Sequence, residues 1–198
     1  MRHPQRWDRA LDFGCGVGRL VPALSGAFDH YVGADISESM VTQARALHAS
    51  SSNCSFVTVA DTDERLRRWP DRSFDLVYSF HVLQHLDSPP TIVAYLASLL
   101  RLLAPGGLWV VQLPAHMPRA ERRAYDTRRA LYAGLAQAGV PPAFLYRRLG
   151  LFPMTMNFLP EAQVMALVRR AGGRVLEVDR ARVGIAIRDR TYYVTRDR

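Results

Sequence analysis

The stretch Leu11-Asp12-Phe13-Gly14-Cys15-Gly16-Val17-Gly18-Arg19 sets three glycines at alternate positions behind an acidic residue. That is the composition of a nucleotide-binding turn between a strand and a helix. Glycine takes positive φ and carries no Cβ, so such a turn folds tightly and lets a ligand approach its main chain. Arg9, Ala10, Leu11 and Phe13 read as a short buried strand in front of it, and 19–24 as the helix behind. A dinucleotide-binding turn, Gly-x-Gly-x-x-Gly, needs its third glycine where this chain has Arg19; here that glycine comes one residue early, at Gly18.

Outward from the turn, strand and helix patterns alternate. His30–Asp35 reads as a second strand ending in an acid, and Ser37 caps a helix running through Met40, Val41, Ala44 and Leu47. A third strand at 55–59 is followed by a further acid, Asp61, and Phe74–Ser79 is a fourth. Apolar residues at helical spacing fill 91–103, Ala104-Pro105-Gly106-Gly107 stops that helix, and 108–113 is a fifth strand. Arg119–Gln137 is an arginine-rich helical stretch, followed by Pro141-Pro142 and an aromatic patch of Phe144, Tyr146, Phe152 and Phe158. A helix at 161–171, with Pro160 at its first turn, leads to strands at 173–179 and 190–195, expected as an antiparallel hairpin. Such alternation implies parallel pairing with helices on both faces, and a ligand at the carboxyl ends of the strands.

At 198 residues and 48% hydrophobic content the chain suits one domain with a sizeable core. It lacks any apolar run of about 18 residues and any secretion signal at its start, so the expectation is a cytoplasmic protein with no membrane contact. Two cysteines, Cys15 and Cys54, fit free thiols rather than a disulfide framework, and no metal site is expected. All 26 basic residues are arginine and the net charge is +8. Arg119, Arg122, Arg123, Arg128, Arg129, Arg147 and Arg148 face only Glu121 and Asp126 between Pro114 and Pro160. A solvated helix face is the simplest reading of this excess; an anionic substrate or an RNA patch is the other.

The glycine turn with Asp12 in front resembles motif I of the class I S-adenosylmethionine-dependent methyltransferases, and Val32-Gly33-Ala34-Asp35-Ile36-Ser37 is similar to the motif that follows it. Phe74 to Leu86 resembles the family's motif IV, and Leu103-Ala104-Pro105-Gly106-Gly107 its structural turn before strand five. The resemblance implies an α/β, Rossmann-like doubly wound fold: a seven-stranded, mostly parallel sheet with an antiparallel last strand. It implies S-adenosyl-L-methionine as cofactor, with Gly14, Cys15, Gly16 and Gly18 under its methionine part and Asp12 holding the ammonium. Asp35 takes both ribose hydroxyls, which an ionised acid accepts well. Ile36 lies against the adenine with Met40 nearby, Asp61 and the Thr62 amide meet the adenine edge, and Phe80 stands beside the sulfonium. The family normally places a helix or lid before strand one, and few residues precede it here: either the start is clipped, or, as is expected, 114–160 acts as a helical, substrate-covering insertion between strands five and six of a single 1–198 domain.

In-line displacement at an activated methyl group requires mainly alignment and desolvation, and a base only where the acceptor must lose a proton. His81 is the candidate for that base, with His85 behind it. Strand four lacks the Asn/Asp-Pro-Pro-Tyr run of adenine and amide nitrogen methyltransferases, and neither cysteine has the Pro-Cys setting suited to attack on cytosine. The expected activity is methyl transfer to an O or N atom of a small molecule, with a homodimer as an open arrangement. The alternatives are an RNA or protein methyltransferase using the arginine-rich 119–148 segment, and a non-catalytic cofactor-binding module.

Overall fold

The computed structural model describes residues 3–59, 66–183 and 187–197. In chain order the elements are β1 (Arg9–Phe13), α1 (Val21–Leu24), β2 (His30–Asp35), α2 (Glu38–Leu47), β3 (Cys54–Thr58), β4 (Phe74–Ser79) and a 3₁₀ turn (Leu83–His85). These are followed by α3 (Pro89–Leu102), β5 (Leu103–His116), α4 (Arg119–Gln137), α5 (Pro142–Leu149), α6 (Glu161–Arg170), β6 (Gly173–Val183) and β7 (Ile187–Arg196). The seven strands form one sheet in the order β3-β2-β1-β4-β5-β7-β6. The pairs from β3 through to β5 are parallel, and β7 alone is reversed, antiparallel to both β5 and β6.

The period-two pattern of the strands divides the core. Leu11, Phe13, Val32, Ala34, Val77, Trp109, Val111, Tyr192 and Val194 pack with α3 and α6 through Ile92, Leu96, Leu99, Val164 and Val168. The intervening residues face the other way. Tyr31 and Phe56 meet Val21, Val41 and Ala44 of α1 and α2, while Ala10, Leu76, Leu108 and Val110 surround Phe28. Chain order reverses between β1 and β4, which opens a crevice at their carboxyl ends.

The segment before β1 lies at the opposite, amino-terminal edge. Buried Asp75, at the start of β4, accepts hydrogen bonds from the Arg6 guanidinium (3.1 Å) and from the Asp8 and Arg9 amides (both 3.1 Å). Trp7 leans on Phe28 with ring centroids 4.9 Å apart, and the Gln5 amide donates to the Gly106 carbonyl at 3.0 Å. These contacts tie residues 5–9 across the base of the sheet, away from the crevice.

Several expected boundaries change. The helix behind the glycine turn is the single turn Val21–Leu24, because Gly18 to Leu20 continue the loop. Strand five begins at Leu103, since Leu103 already pairs with Phe74 before a register shift. The Pro141-Pro142 stretch and the aromatic residues beyond it are partly helical: α5 starts with Pro142 in its first turn and is closed by Gly150 at φ +61°. The hairpin strands are longer than expected, pairing from Gly173↔Arg196 to Val183↔Ile187. No described helix is long and apolar enough to cross a membrane.

Candidate active site

At the carboxyl ends of β1 and β4, Asp12, Gly14, Cys15, Arg19, Leu20, Tyr78, Phe80 and His81 line a cavity of about 330 Å³. Asp12 points to the face that carries Tyr31, and the Tyr31 hydroxyl donates to Asp12 Oδ2 at 2.8 Å. The carboxyl is buried, and burial raises its pKa from 3.8 to about 6 against the opposing effect of the Tyr31 hydrogen bond and the nearby Arg19. A desolvated carboxylate on a cavity wall favours a cationic ligand group, which restores the charge balance that burial removed.

The glycine turn is built differently from a phosphate cradle. The Gly14 and Cys15 amides both donate to the Ala34 carbonyl (2.7 and 3.1 Å), the Gly16 amide to Asp35 Oδ2 (2.9 Å), and the Gly18 amide to the Cys15 carbonyl (2.9 Å). Four main-chain donors that a pyrophosphate would need are therefore committed within the protein. The glycines also differ in what surrounds them. A Cβ on Gly14 (φ +83°) would come within 2.0 Å of Val82 Cγ2, and one on Gly18 within 2.8 Å of the His48 ring. Gly16 (φ +55°) has nothing within 4 Å of that position. The chain's own side chains thus fill two of these places, and of the three glycines only Gly16 faces open space.

Asp35 bridges the turn to the next helix, its Oδ1 accepting from the Ser37 amide at 2.9 Å while Oδ2 holds Gly16. The Ser37 hydroxyl in turn accepts from the Met40 amide at 3.4 Å and caps α2. Ile36 and Met40 stand 60% and 41% exposed beside this junction and do not line the cavity. The Cys15 thiol is pushed up to about 12 by burial, with Asp12 and Asp35 adding to the effect, so it is no nucleophile. Asp61 and Thr62 lie outside the described residues.

The Phe80 ring lies parallel to Tyr78 at 5.9 Å and meets the edge of His81 at 4.7 Å. His81 is exposed toward the cavity and has φ +61°, while its amide donates to Gln112 Oε1 at 2.8 Å. His85 is placed otherwise: its Nδ1 meets the Thr155 carbonyl at 2.8 Å and joins the loop after α5 to the 3₁₀ turn. Sequence reasoning missed Tyr31, Tyr78, Gln112 and Asp189. Strand alternation shows which face a residue takes, but only the register tells which acid a tyrosine can reach.

The model of the methyltransferase domain family matches residues 11–109, half of the chain, and so includes the turn, Asp35 and β4. The chain belongs to this methyltransferase family. A ubiquinone biosynthesis O-methyltransferase of Roseobacter denitrificans is 34% identical over 117 residues, 59% of this chain and 45% of that protein. A phosphoethanolamine N-methyltransferase of Arabidopsis thaliana is 34% identical over 103 residues, 50% of this chain and 20% of that protein. The methyltransferase described here therefore matches less than half the length of these curated relatives. Its fold is shared with an S-adenosylmethionine-dependent methyltransferase from Methanosarcina mazei, with a TM-score of 0.70 at 16% identity over 97% of this chain and 94% of that one. The chain is a class I methyltransferase, and its cofactor is S-adenosylmethionine.

Proposed function

We propose that this methyltransferase moves a methyl group to an oxygen or nitrogen atom of a small molecule, with Asp12 as the residue that selects the donor. The observation that carries this reading is a buried, single-bonded carboxylate on the wall of a cavity whose main-chain donors are already committed. Asp12 fits an ammonium-bearing nucleoside, with Arg19 on the same wall for a carboxylate, and the main chain of the turn offers little to a pyrophosphate. S-adenosylmethionine supplies, when bound, a methyl group already activated by its sulfonium. Asp12 attracts the ammonium, Gly16 leaves room for the methionine part, and Asp35 uses its remaining lone pairs on the ribose hydroxyls. Ile36 and Met40 cover the adenine as exposed apolar side chains, and Phe80 with Tyr78 provides an aromatic wall near the positive charge.

His81 then stands where an acceptor must enter, and its imidazole nitrogen takes the proton that an acceptor hydroxyl or amine gives up. The 114–160 segment covers the acceptor side. Between α4 and 155–157 lies a second cavity of about 480 Å³, lined by Asp87, Arg122, Asp126, Arg129, Thr155, Met156 and Asn157. The Arg129 guanidinium donates to the Thr155 hydroxyl at 3.1 Å, and the Asn157 amide donates to the Gln84 carbonyl at 2.8 Å, so this cavity abuts the 3₁₀ turn behind His81. Its two arginines share the wall with Asp87 and Asp126, Arg122 lying 3.9 Å from Asp126, so it offers an acceptor groups of both charges. Calorimetry with S-adenosylmethionine, S-adenosylhomocysteine and NAD tests the donor reading, and tight binding of NAD alone overturns it. A donor screen against phenols, amines and acids then reads the acceptor atom.

A second reading, methyl transfer to RNA, has one observation in its favour: α4 carries five arginines and buries no residue. RNA affinity that falls steeply with salt supports it, and a flat response removes it.

A further inference from the structure

His81 is held in a left-handed backbone conformation, φ +61°, which is uncommon even for His, one of the L-residues that enter it most often, and which costs energy unless the surroundings fix it. The support comes from two buried polar side chains. Gln112 of β5, 1% exposed, accepts the His81 amide through Oε1 at 2.8 Å and donates through Nε2 to the Asp189 carboxylate of β7. Asp189, 6% exposed, also accepts from the Arg190 amide at 3.1 Å. The Arg190 guanidinium donates back to the Asp189 carbonyl at 2.8 Å and to Glu161 Oε2 at 2.6 Å.

A carboxylate only accepts, so Asp189 draws the nitrogen of the Gln112 amide toward itself and leaves the oxygen facing His81. The pairing of β5 with β7 does not need this arrangement: Gln112 lies opposite Thr191 in a regular ladder, and its neighbours Val111 and Leu113 are fully buried apolar residues. Burying an amide and a carboxylate at such positions is costly unless both are fully bonded, and here the bonds end on the cavity loop.

We infer that Gln112 and Asp189 are positioning residues, a buried relay that holds the His81 imidazole on the cavity wall against Phe80. This rests on the reading of His81 as the acceptor's proton partner. Without the relay the backbone relaxes toward an ordinary region of φ and the ring leaves the wall.

The test uses the full chain, isotope-labelled for NMR, with S-adenosylhomocysteine as probe. In the native protein the probe moves the His81 imidazole signals and the His81 amide exchanges slowly. Gln112→Leu should leave the affinity for the probe unchanged, speed His81 amide exchange about tenfold or more, and more than halve the imidazole response. Gln112→Glu alone sets two carboxylates face to face and should do the same. Combining Gln112→Glu with Asp189→Asn restores an acceptor for His81 and a donor between the two side chains, and should bring back both signals. An unaltered His81 in Gln112→Leu, or a folded double variant that fails to recover, overturns the relay. Should Gln112→Leu not fold, the double variant decides alone. Methyl transfer unaffected by His81→Ala would remove the proton-transfer reading, while the NMR outcome still decides the relay.

Discussion

Replacing Asp12 with Asn should stabilise the protein free of ligand while removing its affinity for the cofactor. Burial raises the Asp12 pKa from 3.8 to about 6, so ionising this group opposes folding. Below pH 3.8 the folded and unfolded chains both hold the proton, and the penalty is absent; it grows as pH rises through the interval and is complete above the folded value. The linkage relation puts it at about 1 kcal/mol at pH 4.5 and about 3 kcal/mol at pH 7.5. Asparagine keeps an oxygen for the Tyr31 hydroxyl and carries no charge, so most of that penalty disappears. For a chain of this size a gain of about 1 to 3 kcal/mol raises Tm by roughly 3 to 10 °C. Thermal melts of both proteins across pH 4.5 to 7.5, followed by circular dichroism, give the difference directly. Equal melting at pH 7.5, or a difference that does not shrink toward acid, refutes the assignment of Asp12 as a charge that burial penalises.

Three further outcomes follow from the same geometry. S-adenosylhomocysteine should bind more weakly below pH 6, by up to about tenfold per pH unit, because its ammonium needs an ionised Asp12; calorimetry showing constant affinity from pH 5 to 7.5 would sink that role. Asp35→Ala removes the acceptor for the Gly16 and Ser37 amides, and should cost about 1 to 3 kcal/mol in urea unfolding. The same variant should lose the ligand's protection, otherwise about 2.7 kcal/mol at a hundredfold excess over Kd. Gly14→Ala meets Val82 at 2.0 Å in a left-handed conformation and should unfold far more readily than Gly16→Ala. The latter pays only the left-handed strain of about 1 to 2 kcal/mol and weakens cofactor binding instead; similar urea midpoints for the two variants would contradict the packing described.

Much of the architecture can be read along the chain because local rules and tertiary packing agree there. His30–Asp35, Phe74–Ser79 and Arg119–Gln137 match their expected bounds, since alternation or helical spacing is uninterrupted in each. α5 was hidden because a proline pair reads as a break, although Pro142 sits where a first helical turn tolerates it. At the site, Asp12, Gly14, Cys15 and Phe80 are marked by the family resemblance of their motifs and His81 by its residue type, and all five line one cavity. Gln112 carries no such mark. Its place depends on β7 arriving beside β5 from 77 residues downstream, and nothing local to either strand announces that meeting.

The glycine turn closes its hydrogen bonds upon itself, and this bears on selectivity among molecules that share an adenosine half. Sugar and base look alike in a dinucleotide, a nucleoside triphosphate and a methyl donor, so discrimination falls to the far end of the ligand. There the protein presents a buried acid, Asp12, with Arg19 on the same cavity wall, and no waiting amides at Gly14, Cys15, Gly16 and Gly18. On the reading proposed for Asp12, a phosphorylated metabolite would meet repulsion at the same atom that attracts an amino acid's ammonium, so a single aspartate would serve as both anchor and filter.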